Sequence, residues 1–281
     1  MSESPREFPF AQHPARQGIV WLAAAFGMFR AHRLAWVVLV LAYFLVLLLL
    51  RVIPFAGPYA MTVMKPVLAV GLLAAAWTQE RGGTPALRNL FQGFRANLWS
   101  LVAIGVFFVV GITLAVFASS LVDGGKLVEL MGGGASMTEA EIAAALADGS
   151  VQLGMAFSAL LSLPVVIATW WAPALVVFQD ARSGAALAAS LRAALANWKP
   201  LAVYGLAVFF YGGVVPGLVI GVLALVVPPP AGQLIVVALL LPYSLFFAAT
   251  LHISDYVSYR DVFHAGETLA PLAGQGSDGQ D

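Results

Sequence analysis

Histidine is the natural place to look for chemistry in this chain, because imidazole titrates near neutral pH and ligates metals. There are four, His13, His32, His252 and His264, and no two of them form an HExxH or HxxxH pair. Cysteine is absent, which excludes disulfides, thiolate zinc sites, iron–sulfur clusters and Cys nucleophiles. No GxSxG elbow, Walker motif or GxGxxG loop occurs. A hydrolytic Ser–His pair would have to be drawn from Ser162 and His252, and no surrounding motif supports one. The expectation is a protein that is not an enzyme, with no catalytic residue, no metal site and no cofactor.

Three further sets of residues could bind something. Arg51 and Lys65 sit in strongly apolar sequence, where paired cations could hold a lipid headgroup or a substrate carboxylate. The alternative is that each long side chain extends to phosphate at the membrane edge. His252 and Asp255 are spaced to meet on one helix face, either as a site or as a water-facing polar pair. Gly213, Gly217 and Gly221 form a GxxxGxxxG stripe, which lets helices approach closely. Packing within the chain is the first expectation for that stripe, and dimer formation the second.

These residues depend on an apolar framework. The chain is 61% hydrophobic and 10% charged, against about 25% charged for an ordinary soluble domain. Six stretches are long enough to cross a hydrocarbon core, which takes about 20 helical residues. They cover residues 34–53, 59–77, 98–122, 153–178, 201–227 and 233–256. Pro54 stops the first, and Pro228-Pro229-Pro230 forces a tight turn before the sixth. Pro164, Pro173, Pro216 and Pro242 lie inside later spans, where proline frees carbonyls and bends helices. The predicted fold is an all-α, polytopic membrane helix bundle spanning residues 18–263. Disordered cytoplasmic tails are expected at 1–17 and 264–281.

Charge gives the orientation. Of fourteen Lys and Arg, only Arg51, Lys65 and Lys126 fall on the side opposite the termini. The positive-inside rule therefore places both termini in the cytoplasm. Zero net charge gives no reason to expect nucleic acid. The lipid bilayer is the expected partner, with other membrane proteins or a second copy as further ones.

An internal repeat organises the spans. A shift of 100 residues places Gln79-Glu80 on Gln179-Asp180, Asn97 on Asn197 and Gly105 on Gly205. A shift of 65 places Phe29-Arg30-Ala31 on Phe94-Arg95-Ala96 and His32 on Asn97. Each unit reads as an interfacial amphipathic helix, a small polar corner and then a hairpin of spans. In the second unit, Thr84 and Pro85 suit a helix start, with Leu87, Leu90, Phe91 and Phe94 on one face and Arg88, Asn89, Gln92 and Arg95 on the other. In the third, Leu187, Leu191 and Leu195 oppose Ser190 and Arg192; in the first, Trp21, Phe26 and Phe29 form the apolar side. Such helices pack at the membrane edge or form a collar for lipid or partners. In the loop between the third and fourth spans, Thr138 and Glu141 predict a capping box opening a short helix to about Asp148.

TWWAPALVVFQD from Thr169, NWKPLAVYG from Asn197 and YVSYRDVF from Tyr256, with LFQGFR from Leu90, resemble an uncharacterised six-span proteobacterial inner-membrane protein family of unknown function. That family is distantly similar to the membrane domain attached to some glycerophosphodiester phosphodiesterases. The resemblance implies a bacterial inner membrane and a repeated architecture. It carries no activity, because no phosphodiesterase catalytic domain is present. The functional expectation is a non-enzymatic protein that organises envelope or lipid, or scaffolds other membrane proteins. The alternative is a transporter or exporter of a small or lipid-like substrate.

Overall fold

A computed structural model describes residues 8–54, 56–133, 137–228 and 230–265. Its elements in chain order are α1 (Gln17–Ala31), α2 (Arg33–Arg51), α3 (Gly57–Glu80), a 3₁₀ helix (Leu87–Phe94), α4 (Leu98–Ala118), α5 (Ser120–Asp123), α6 (Lys126–Gly133) and α7 (Glu139–Ala147). There follow α8 (Gly149–Trp170), α9 (Ala172–Gln179), α10 (Ser183–Ala196), α11 (Trp198–Phe209), a π-helical turn (Phe210–Val214), α12 (Val215–Val226) and α13 (Ala231–Phe263). No strand occurs among the described residues. Six helical segments are long and apolar enough to cross a membrane, in the order the sequence predicts, so the chain is an all-α polytopic membrane bundle.

The breaks within the spans have local causes. The fourth span divides at Trp171, two residues before Pro173. Ser190 of α10 fills the gap: its hydroxyl accepts the Trp171 N–H at 3.0 Å and donates to the Ile167 carbonyl at 3.1 Å. One hydroxyl thus replaces the i→i−4 bond that a continuous helix would make there. In the fifth span the π turn lies immediately before Pro216, whose ring and missing N–H an ordinary turn would not accommodate. The sixth runs on past its predicted end at Tyr256 to Phe263. Tyr256, Tyr259 and Val262 are buried in protein, so their polarity and spacing do not end the helix.

The three connectors each pack on the last span of the preceding unit: the 3₁₀ helix on α3, α10 on α8 and α9, and α1 on α13. The N-terminal connector lies on the C-terminal helix, so the three units close in a ring. Close contact selects small residues. A side chain at Gly71 would run into the Leu90 backbone, and one at Gly93 into the Val67 carbonyl. The 3₁₀ helix therefore lies directly on α3 and runs back along it.

This packing divides the faces read from the sequence: in α1 Trp21 and Phe29 of the predicted apolar side are buried, while Phe26 is exposed. In the second unit Asn89, Leu90, Gln92 and Gly93 are buried, while Leu87, Phe91 and Phe94 face outward. The segment also stays extended to Ala86, whose N–H is taken by the Asn89 side chain at 2.9 Å, so Thr84 and Pro85 do not start the helix. In α10 the buried face is Ala186, Ala189, Ser190, Ala193 and Ala194, and Leu195 is exposed. Lipid solvates leucine as well as protein does, so protein contact goes to the small residues that permit close approach.

The loop helix forms as predicted: Glu141 N–H donates to the Thr138 hydroxyl, and Thr138 N–H donates back to the Glu141 carboxylate at 2.7 Å. These bonds hold the Glu141 carboxyl below its ordinary range, the backbone bond contributing most. The tail differs from expectation. Phe8 is buried, and Ala11 N–H donates to the Val262 carbonyl at 2.7 Å, so the segment from Phe8 onward is docked. The rest of the predicted N-terminal tail, and 266–281 of the C-terminal one, lie outside the described residues.

Candidate functional site

Polar side chains gather where the three units meet. Asp261 on α13 accepts from Gln17 Nε2 and Trp21 Nε1, both at 2.8 Å. His13 lies 3.6 Å from the same carboxylate and bonds the Asp261 carbonyl at 3.1 Å. The His13 backbone N–H donates to Asn197 Oδ1 at 2.9 Å, and Asn197 Nδ2 donates to the carbonyls of Ala11 and Ala193. One asparagine therefore pins the N-terminal segment to the corner of the third unit.

The ends of α3 and α9 hold the other two sides. Gln79 accepts from Trp36 Nε1 at 2.7 Å and donates to the Met28 carbonyl at 2.7 Å. Gln179, its match in the repeat, donates to the Tyr259 hydroxyl at 3.2 Å and lies 3.1 Å from His264 Nε2. Glu80 takes Arg260 Nε at 2.7 Å and also accepts from the Tyr256 hydroxyl. Asp180, the match of Glu80, instead ends α9 in a left-handed conformation at φ 50°.

Aromatic rings fill the space between. Trp171 donates from Nε1 to Ser258 at 3.0 Å, and its ring meets Trp21 at 6.5 Å and Phe263 at 5.8 Å, edge to face. Tyr204 shares a 2.7 Å hydroxyl bond with Ser254. Edge-to-face pairs of this kind add about 0.5–1.5 kcal/mol each beyond the area they bury. The three motifs quoted above, from Thr169, Asn197 and Tyr256, all converge here.

The chain aligns at 29% identity, over 272 residues, with a curated "probable inner membrane protein" of Burkholderia thailandensis. The match covers 94% of this chain and 97% of that one. No family model and no solved structure matches. None of these comparisons carries the likeness to the phosphodiesterase-linked domain.

The individually singled-out residues lie outside the hub or at its edge. Arg51 and Lys65 are exposed, and neither has a hydrogen-bond or ion-pair partner among the described residues. His252 sits 3.7 Å from Asp255 and packs edge-on to the Tyr43 ring at 5.0 Å. Ser162 donates to the Ser158 carbonyl of its own helix, so Ser162 and His252 have different partners.

The glycine stripe does not pack within the chain. A side chain at Gly217 or Gly221 would meet open space, and one at Gly213 only the Phe209 ring of the same span. The close approach falls one residue earlier, at Gly212 against the Phe247 ring of α13. The π turn widens the helix at this point and resets which residues face α13. Sequence reasoning missed Asp261, Trp21 and Ser190 as organisers. Asp261 was visible as an acid inside an apolar motif, whereas Ser190 carried no signal in an alanine-rich run.

Proposed function

We propose that the protein is a multi-pass inner-membrane protein with both termini in the cytoplasm, and that it organises lipid or scaffolds other membrane proteins without catalysing a reaction. One observation carries this reading: the hub's carboxylates and amides are taken up by hydrogen bonds and ion pairs within the chain. Asp261, Glu80, Gln79 and Asn197 each hold a distant segment of the same chain. A catalytic or transport centre directs such groups into space that a substrate can enter. The inner-membrane placement rests on the printed name of the Burkholderia relative, and the orientation on the distribution of Lys and Arg.

The test is purified protein in proteoliposomes together with a deletion strain. The expected result is no translocation of labelled phospholipid or of small solutes, with altered lipid composition or altered membrane-protein complexes in the strain. Translocation above empty liposomes, lost on Asp261→Ala, would replace this reading with transport. Reporter fusions after Ser190 and within 132–134 check the orientation, and a cytoplasmic signal from the second overturns it.

A specific feature favours transport as the second reading. No residue of α12 is buried, and a π turn and Pro216 stand at its base. A weakly held hairpin on a widened turn has the construction of a moving element. Cross-linking Gly212 to Phe247 through paired cysteines would abolish activity if that motion matters, and would leave a scaffold working.

A further inference from the structure

Two adjoining cavities open at the turn between α1 and α2, and Arg33 lines both. One, of about 420 Å³, is walled by Phe26, Phe29 and Phe246, with Arg30 and Arg33 as its polar groups. The other, of about 520 Å³, runs from His32 and Arg33 past Leu34 and Val38 to Pro85 and Leu87. No Asp or Glu lines either.

Arg30 and Arg33 are exposed, and no carboxylate pairs with them among the described residues. Arg30 is oriented by the Phe26 ring, 5.6 Å below its guanidinium. Elsewhere Arg260 is held by Glu80, and Lys126 by Asp148. The repeat sharpens the contrast. Asn97 and Asn197 occupy the matching corners, and both side chains are engaged with backbone groups. The His32 ring has no hydrogen-bond partner among the described residues, and the first turn of α2 has no side-chain cap.

Two guanidiniums beside an open helix start suit a phosphate: each presents paired N–H donors, and the first amides of α2 add more. The walls suit the rest of a lipid. Phe26 and Phe246 form one side, and the exposed Leu34 and Val38 begin an apolar track along α2 that continues through Leu41, Leu45 and Leu48. One phosphate neutralises only part of the local charge, so a headgroup bearing its own ammonium is disfavoured.

We propose that this corner binds an anionic phospholipid, its phosphate between Arg30 and Arg33 and its acyl chains along α2. The proposal supplies the lipid class for the organising role above and rests on that role for its cellular meaning. Binding is tested on the purified full-length protein, so the two can fail separately.

The protein is reconstituted in phosphatidylcholine nanodiscs containing a minor fraction of phosphatidylglycerol, and the lipid retained after detergent extraction is measured by native mass spectrometry. Retention should favour phosphatidylglycerol in the wild type and fall about thirtyfold in R30Q/R33Q, as expected for losing two cations near a charged surface. R88Q/R95Q removes equal charge from another connector and should leave retention unchanged. Equal retention of both lipids by the wild type overturns the site without reference to any variant. An equal fall in both double variants overturns it in favour of general surface charge. Displacement of the lipid by excess inorganic phosphate overturns the lipid in favour of a free anion.

Discussion

Arg260 and Glu80 meet at 2.7 Å, fastening the final helix of the chain to the end of its first hairpin. Both side chains are partly exposed, at 47% and 32%. Exposed pairs contribute about 0.2–1 kcal/mol, so a double-mutant cycle of Glu80→Gln and Arg260→Gln should return a coupling in that range. Thermal unfolding in detergent measures it, and a coupling of about 3 kcal/mol or more would mean a desolvated pair.

Ser190 should matter more than its size suggests. Ser190→Ala leaves the Trp171 N–H and the Ile167 carbonyl without their shared partner in a fully buried position. The expected loss is about 1–3 kcal/mol for each unsatisfied group. Ser190→Cys keeps a weak donor and acceptor and should fall between. A silent Ser190→Ala in chemical denaturation would show that the break at Trp171 does not need the hydroxyl.

Glycines of the fifth span and of the second unit should respond in opposite ways. Gly217→Ala and Gly221→Ala point into open space and should leave unfolding unchanged, whereas Gly71→Ala meets the Leu90 backbone and should lower expression of folded protein. If the stripe joins two copies, Gly217→Ala shifts the oligomeric state in size-exclusion chromatography with light scattering while leaving the monomer folded.

Arg51 and Lys65 are expected to be silent. Both are exposed and unpaired among the described residues, as cations reaching for phosphate would be. Lys65→Gln and Arg51→Gln should therefore insert and accumulate normally, by quantitative immunoblot of membranes. Loss of a deletion-strain phenotype's rescue by Lys65→Gln, at normal levels, would instead mark a binding charge.

The loop carries a pH-dependent tie. Asp148 accepts from Lys126 at 2.8 Å and from Ser150, and these bonds, the lysine's first, hold its carboxyl well below the usual carboxylate range. A depressed carboxyl contributes stability above its unfolded pKa of about 3.9 and loses it as pH falls through the lower folded value. Hydrogen-exchange protection of the 139–147 helix, relative to the intrinsic rate at each pH, should thus stay constant from neutral pH down to about 4. Asp148→Asn should speed exchange at every pH in that window.

Much of the fold was legible because span length is set by the bilayer itself. Thr138 and Glu141 were legible too, since a capping box is local. The connectors were not. Amphipathicity identifies two faces, but in lipid it does not say which one meets protein: in α10 the alanine face does, with Leu187 and Leu191 half-buried and Leu195 exposed. The hub was half legible: its motifs could be quoted, yet the partners of Asp261 lie some 240 residues away in sequence. Gly213, Gly217 and Gly221 misled because a π turn lies ahead of the last two and rotates the face.

The seat of α1 is completed by α13, the last helix among the described residues. Until α13 emerges, Trp21, Ala25 and Phe29 have only part of the surface that buries them. A ribosome still making the fifth span therefore holds a chain whose first structured segment is waiting for its last. Truncation within 256–263 should consequently unhook the segment from Phe8 to Trp21 at the opposite end of the described chain. The same closure lets the protein be cut and rejoined elsewhere. A circular permutant opened between α6 and α7 would make α1 and α13 neighbours in sequence while keeping their contact with each other.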